Sequence, residues 1–322
     1  MKPKVFIARP LHKTIEAYIA EHCEYRMWDK TEQIPLELLY EEIQDVTGLL
    51  TNGLAINTKV LDKAPKLKIV SSMSVGYNNF DVDALKARNI MGTNTAGALD
   101  ETVADLAFSL MLAASRRIAE LDRYVKDGRW KKEDNESLFG LDVHHATVGI
   151  VGMGRIGEAI ARRAKYGFSM NVLYHNRNRK PEIEQAMGVQ YRDLNSLLRE
   201  SDFVVVVTPL TEETKGMFGA EQFRQMKSTG IFVNVARGQV VDEAALIEAL
   251  QTRQIYSAGL DVYEQEPVAL DNPLLKMPHV VTIPHIGSAT DQTRYDMAML
   301  AARNLVMGVT GQTPPNLFPE LR

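Results

Sequence analysis

The chain is poor in several things at once, and each shortage closes a class of function. It holds one cysteine, Cys23, in 322 residues, so neither an intramolecular disulfide nor a cysteine metal cluster can form. No apolar run persists long enough to span a bilayer, and the opening MKPKVFIARPLHK has too short an apolar stretch for a signal peptide; the cytoplasm is the expected compartment. Positive charge is not in excess: 37 Lys and Arg stand against 41 Asp and Glu, a net charge of -4, which leaves no electrostatic footprint for nucleic acid or an anionic membrane. The pair His144 and His145 has no other ligand cluster near it and would point to opposite faces of an extended segment, so no metal is expected. With 45% hydrophobic and 24% charged residues, what remains is a soluble globular chain long enough for two domains, each with its own core.

Against these shortages one stretch stands out, residues 146–157, ATVGIVGMGRIG. Val148 to Val151 read as a short buried strand, Gly152, Gly154 and Gly157 as a tight turn, and a helical pattern follows from Glu158 to Ala164. Glycines at this spacing let the backbone approach a pyrophosphate, while the helix N-terminus offers N–H groups and partial positive charge. A second apolar stretch, Met170 to Tyr174, completes the strand, helix, strand unit in which such a turn binds a dinucleotide. About 20 residues past the turn an NAD site holds Asp or Glu for the ribose hydroxyls. Here stand Tyr174, His175, Asn176, Arg177, Asn178, Arg179 and Lys180, with no carboxylate before Glu182. A carboxylate would repel a ribose phosphate, whereas Asn176, Arg177 and Arg179 can hydrogen-bond it. NADPH is therefore expected over NADH, the plainer reading being a solvated basic loop that discriminates neither.

Taken in order, the chain alternates strands and helices. Strands are expected at 5–10, 23–28, 48–51, 68–72 and 90–94, with helices at 12–22, 37–45, 57–64 and 82–88 between them. Alternation of this length implies right-handed crossovers and a parallel sheet covered on both faces. Ser74, Val75 and Gly76 follow a strand end, where open parallel sheets put ligand loops; a backbone nest there suits a carboxylate, and an ordinary glycine turn is the alternative. After Gly97, Asp100 is expected to cap a helix with Val103, Leu106, Ala107, Leu110, Met111 and Ala114 on one stripe, crossing between domains or lying in a subunit interface. The polar stretch Lys126 to Glu136, with Trp130 in it, reads equally as an arm toward a partner subunit or a plain surface connection. The glycine turn opens a second unit, with strands at 203–207, 231–235, 257–260 and 280–283 and helices at 221–226 and 242–252. A helix over 290–307 is expected to return to the first unit, followed by a Pro-rich tail too short for a domain. The expected class is α/β with two doubly wound parallel-sheet domains: a Rossmann domain, 99–288, inserted in a flavodoxin-like substrate domain, 1–98 and 289–322, with hinges near Gly97 and Ser288.

The strand ends of the second unit carry its polar residues. Thr208 and Pro209, then Ala236, Arg237 and Gly238, then Asp261 and Glu266, then Pro284 and His285 should fall along one carboxyl edge. An arginine, a glutamate and a histidine converging there match the needs of 2-keto acid reduction. Arg237 can bind a carboxylate through two parallel hydrogen bonds, His285 can supply a proton, and Glu266 can hold that imidazole in one tautomer. Glu264 is a rival to Glu266; Pro267, which fixes the local backbone, favours Glu266. Asp261 suits a nicotinamide carboxamide better than proton transfer.

VGIVGMGRIG, VTPLTEETKGMF, NVARGQVVDEAALIEAL, AGLDVYEQEP and PHIGSAT together resemble the D-isomer-specific 2-hydroxyacid dehydrogenases, over nearly the whole chain. Within that family the sequence is most similar to glyoxylate/hydroxypyruvate and 2-ketogluconate reductases. The resemblance implies a triad of Arg237, Glu266 and His285, with His285 the proton donor in reduction. It implies substrate binding at Ser74, Val75 and Gly76 together with Arg237 and His285. Cofactor contacts are expected at Gly152, Met153, Gly154, Arg155, Ile156, Gly157, Asn176, Arg177, Arg179, Thr208, Pro209, Val235, Ala236, Arg237, Asp261, His285 and Gly287. The expected activity is NADPH-preferring reduction of small 2-keto acids to D-2-hydroxy acids, with NADH as a second donor, in a homodimer paired through the dinucleotide domain. The family also includes cofactor-sensing transcriptional co-repressors, and a binding protein of that kind is the alternative.

Overall fold

The computed structural model describes residues 1–322, which form two compact units, Met1–Leu99 with Ser288–Arg322, and Asp100–Gly287. In the first unit, β1 (Lys4–Ile7), β2 (Glu24–Met27), β3 (Gly48–Thr51), β4 (Ile69–Ser72) and β5 (Met91–Thr93) pair in the order β2-β1-β3-β4-β5, all parallel. Both β3 and β4 are buried at every position; their apolar residues are Leu49, Leu50, Ile69 and Val70, and the buried Ser71 hydroxyl donates to the Ala301 carbonyl at 2.8 Å. Helix α1 (Lys13–His22) and the C-terminal helix Asp291–Val309 cover one face, packing Ile15, Ile19, Ala301 and Leu305 on Ile7, Leu50 and Ile69. Helices α2 (Leu36–Glu42), α3 (Thr58–Asp62) and α4 (Val82–Ala87) cover the other, packing Leu39, Val60 and Leu85 on Phe6, Leu49 and Val70. The tail is no loose end: the Phe318 N–H donates to the Gly92 carbonyl at 2.9 Å, and its fully buried ring stacks on Tyr77 at 4.0 Å.

The second unit holds β6 (Thr147–Val151), β7 (Asn171–His175), β8 (Gln190–Tyr191), β9 (Phe203–Val206), β10 (Ile231–Asn234), β11 (Ser257–Leu260) and β12 (Val280–Thr282). They pair, all parallel, in the order β12-β11-β10-β9-β6-β7-β8. The order reverses between β6 and β9, the switch point at which a doubly wound sheet takes its dinucleotide. Its helices are α5 (Asp100–Ser115), α6 (Ile118–Lys126), α7 (Arg155–Arg162), α8 (Pro181–Met187), α9 (Leu194–Glu200), α10 (Ala220–Gln225) and α11 (Glu243–Gln251).

Several local expectations need correction. Asp100 is the first residue of α5 rather than its cap, and its carboxylate faces Arg155 Nε at 3.3 Å. The buried stripe of α5 includes Ala104 and Phe108, while Leu106 is only half-buried; the stripe packs on the sheet of its own unit. Arg117, with φ +55, then breaks the chain into α6, which buries no residue and leaves Ile118 and Val125 of its apolar stripe exposed. Lys126 closes α6, and the loop beyond it leaves Trp130 65% exposed. His144 and His145 lie in a turn, His145 at φ +63, with their rings edge to face at 5.1 Å, so they do not point to opposite faces of an extended strand.

Candidate active site

The glycine turn follows β6, and only glycine fits two of its positions. Gly152 has φ +107, and a Cβ there would stand 2.8 Å from Thr208 N. At Gly157 a Cβ would come within 2.2 Å of the Gly152 carbonyl oxygen, so the lost side chain lets α7 press on the end of β6. Gly154 is the N-cap of α7 and makes no side-chain cap, and nothing lies within 4 Å of a Cβ built on it. An open backbone at an uncapped helix start suits a pyrophosphate, which the first N–H groups of α7 would hold. Met153 is buried beneath the turn and Arg155 is exposed beside Asp100.

Beyond β7 the basic segment divides its labour. Arg179 makes a two-pronged bond to Glu184 at 2.7 and 2.6 Å. That bond and one from the Tyr174 hydroxyl hold the Glu184 carboxyl at about 2. Arg177 is 80% exposed with one bond of 3.3 Å to Glu213, and the Asn176 amide donates to the Asn178 carbonyl. The expectation that Asn176, Arg177 and Arg179 share one phosphate therefore narrows: Arg179 is spent on the start of α8, and Arg177 is the cation free to reorient.

The ends of β10, β11 and β12 bring the chemistry together. Asn234, 1% exposed, donates to the Arg237 carbonyl at 3.0 Å and accepts from the Ala236 N–H at 3.0 Å, stapling the turn that presents Arg237. A Cβ on Gly238 would fall 1.8 Å from the Tyr263 carbonyl carbon, so this turn and the loop after β11 touch backbone to backbone. Arg237 is half-buried; burial lowers its pKa, against the charge of Glu266, which raises it. Glu266 Oε1 accepts from the Tyr263 N–H at 3.1 Å and Oε2 lies 2.6 Å from His285 Nδ1. Burial works to raise the Glu266 carboxyl, but the bonds from His285 and Tyr263 and the charges of His285 and Arg237 prevail and hold it below the usual carboxylate value. Glu264 is held by its backbone, its N–H donating to Glu243 and its carbonyl accepting from Gln239, and its carboxylate makes no bond to His285. The Glu266–Pro267 peptide is cis.

Asp261 is 1% exposed and takes three bonds from the segment after β12: Oδ1 from Ile286 N–H at 2.6 Å, Oδ2 from Gly287 N–H at 2.9 Å, and its carbonyl from His285 N–H at 2.9 Å. It is a clamp on the loop that carries His285, which itself sits at φ +50. Burial raises the Asp261 carboxyl while these backbone bonds oppose the rise. In the first unit, the Ser74 hydroxyl donates to the Gly76 carbonyl at 2.8 Å and the Asn94 amide to the Val75 carbonyl at 2.9 Å. With both carbonyls taken, this loop offers its N–H groups rather than its oxygens to an anion.

Residues 108–287 match the model for the D-isomer specific 2-hydroxyacid dehydrogenase NAD binding domain. The chain belongs to the D-isomer-specific 2-hydroxyacid dehydrogenases. It is 47% identical to glyoxylate/hydroxypyruvate reductase B of Escherichia fergusonii and 46% identical to that of Citrobacter koseri, each over 98% of both chains. It is also similar to the solved NADPH-dependent glyoxylate/hydroxypyruvate reductase of Sinorhizobium meliloti in complex with NADP and malonate. That structure has 31% identity and a TM-score of 0.87, over 100% of this chain and 98% of the other. The chain is thus an NAD(P)-dependent 2-hydroxyacid dehydrogenase. Two residues of this dehydrogenase's site were not singled out from the sequence. Asn234 is the last residue of an apolar strand, and a polar residue ending such a run is the signal that points to it. Tyr263, whose N–H anchors Glu266, carries no such signal, because the bond comes from its backbone.

Proposed function

We propose that this dehydrogenase reduces glyoxylate and hydroxypyruvate, and 2-ketogluconate if its pocket is open, to the D-2-hydroxy acids, preferring NADPH and accepting NADH. The 2.6 Å bond between Glu266 and His285 Nδ1 carries the reading. An ionised carboxylate only accepts, so Nδ1 keeps its proton as the donor and Nε2 becomes the ring atom that gives up or takes a proton. The imidazolium is stabilised by Glu266 and delivers the Nε2 proton to the keto oxygen as that oxygen gains negative charge. Arg237, the half-buried cation beside this pair, binds the substrate carboxylate and polarises the carbonyl. In the first unit, the N–H groups of Val75 and Gly76 suit a carboxylate oxygen. A nicotinamide, when bound, supplies the hydride to the carbonyl carbon.

Arg177 and Asn176 are assigned to the ribose phosphate, in keeping with the NADP complex of the Sinorhizobium meliloti relative. The full-length relatives are reductases, which does not favour the co-repressor alternative. A homodimer through the dinucleotide unit would cover the exposed Ile118, Val125, Trp130 and Phe139. The test is NADPH oxidation by the purified protein with glyoxylate, hydroxypyruvate and 2-ketogluconate in parallel, each repeated with NADH. Turnover on the first two with NADPH favoured is expected. No turnover with any keto acid would sink the proposal, and equal rates with NADH would sink the cofactor preference.

A further inference from the structure

The carboxyl edge of the first unit's sheet carries two arginines to which the fold gives no counter-charge. Arg9 stands two residues beyond β1, where the sheet order passes from the β1–β2 pair to the β1–β3 pair. Such switch points are where open parallel sheets take ligands. Arg294 lies in the first turn of the C-terminal helix. The two segments are pinned to each other: Tyr295 OH lies 3.0 Å from Thr14 Oγ1, and its ring meets the His12 ring edge-on at 5.5 Å. Arg9 Nε is buried with no hydrogen-bond partner. Arg294 is exposed at the surface, and partial desolvation with the charge of Arg9 lowers its guanidinium from the ordinary value. Of the carboxylates on the same two helices, Glu16 bonds Lys13 and Tyr25 and Asp296 bonds Gln292, while Glu21 and Asp291 form no ion pair with either arginine. Two like charges on neighbouring segments, one with its Nε buried and without a partner, gain from an anion that joins them.

We propose that Arg9 and Arg294 form an oxyanion subsite, gripping the second carboxylate or phosphate of a dianionic 2-keto or 2-hydroxy acid whose first carboxylate lies on the Val75 and Gly76 backbone. The assignment rests on the role given above to that loop. The ends of β1 and β4 are two strand widths apart, roughly 10 Å, a gap that an arginine side chain and a dicarboxylate of about four carbons close between them. Planar guanidinium forks match the paired oxygens of either anion.

Calorimetric binding of succinate and butyrate, equal in chain length, tests this without turnover. The wild type should bind succinate about ten-fold or more tightly than butyrate, the range expected for one charge-assisted contact pair. Arg9→Gln and Arg294→Gln should each bring that ratio toward one, and Arg294→Lys, which keeps the charge but loses the fork, should fall between. Inorganic phosphate is the second probe. Displacement of succinate by phosphate assigns the subsite to free oxyanions as well, and failure of phosphate to compete assigns it to a group on the substrate; the subsite stands in both cases. A ratio near one in the wild type, or one unchanged in both Gln variants, overturns it. Because each Gln variant removes a like charge, its unfolding temperature in anion-free buffer should equal or exceed that of the wild type; a fall in both would show that the arginines have structural partners and overturn the inference. A protein that turns over no keto acid yet shows the ratio collapse refutes the proposed function and leaves the subsite standing.

Discussion

Replacing Glu266 with Gln is the sharpest probe of the proton path, since it removes the charge and keeps the shape. The 2.6 Å contact with His285 Nδ1 is charge-assisted while the carboxylate is ionised, and the lowered carboxyl keeps it ionised throughout the neutral range. A hydrogen bond to a charged group is worth about 1.5–3 kcal/mol and a neutral one about 0.5–1.5 kcal/mol, so the substitution removes on the order of 1–1.5 kcal/mol. The side chains are 46% and 35% exposed, and solvent screening brings the loss to about 1 kcal/mol. The sign follows from which state the charge favours. Glu266 stabilises the protonated ring, reduction needs that proton, and the variant therefore loses reduction at a lower pH than the wild type. At about 1.4 kcal/mol per pH unit the alkaline limb of kcat/KM for reduction should move down by somewhat less than one unit. Oxidation of the D-hydroxy acid, which needs the unprotonated ring, should gain relative to reduction at low pH. The assay is the rate–pH profile in both directions with glyoxylate and glycolate. An alkaline limb that stays in place, or moves up, would refute the reasoning.

Other outcomes follow from separate contacts. Arg177→Ala should weaken NADPH roughly ten-fold or more with little change for NADH, whereas Arg179→Ala, already bonded to Glu184, should not separate the two cofactors; cofactor titrations decide, and equal losses with both cofactors for Arg177→Ala would remove the phosphate contact. Asn234→Ala frees a buried N–H and a carbonyl in the Arg237 turn, which should cost about 1–3 kcal/mol in chemical denaturation and lower kcat/KM; unchanged values would show that the turn holds without its staple. For Glu184, whose carboxyl sits at about 2 against an ordinary 4.5, the contribution to stability is complete above the ordinary value and lost as pH falls through the lower one. The gap in unfolding temperature between wild type and Glu184→Gln should therefore narrow as the pH is lowered over that window, and a gap constant with pH would count against the ion pair.

Much of the architecture could be read directly because its signals are local. The glycine turn needs an absent Cβ at Gly152 and Gly157, and that requirement is written in residue type alone. Buried parallel strands such as β3, β9 and β10 announce themselves as apolar runs because both faces are covered. Three helices escaped: α6 buries no residue, and α8 and α9 bury only one and two residues each.

The sequence by itself determined the order of strands and helices, the dinucleotide turn, and the residue types available for proton transfer, since each follows from chain-local sterics and burial. Only the tertiary structure decided how those residues are used. It committed Glu266 rather than Glu264 to His285, made Asp261 a clamp on the loop bearing that histidine, and diverted Arg179 to Glu184. It also placed Arg9 and Arg294, 285 positions apart in the chain, on one sheet edge without a counter-charge. Hydrogen bonds and Coulomb forces act over a few ångströms of space, and spacing along the chain carries no record of which side chains come within that reach.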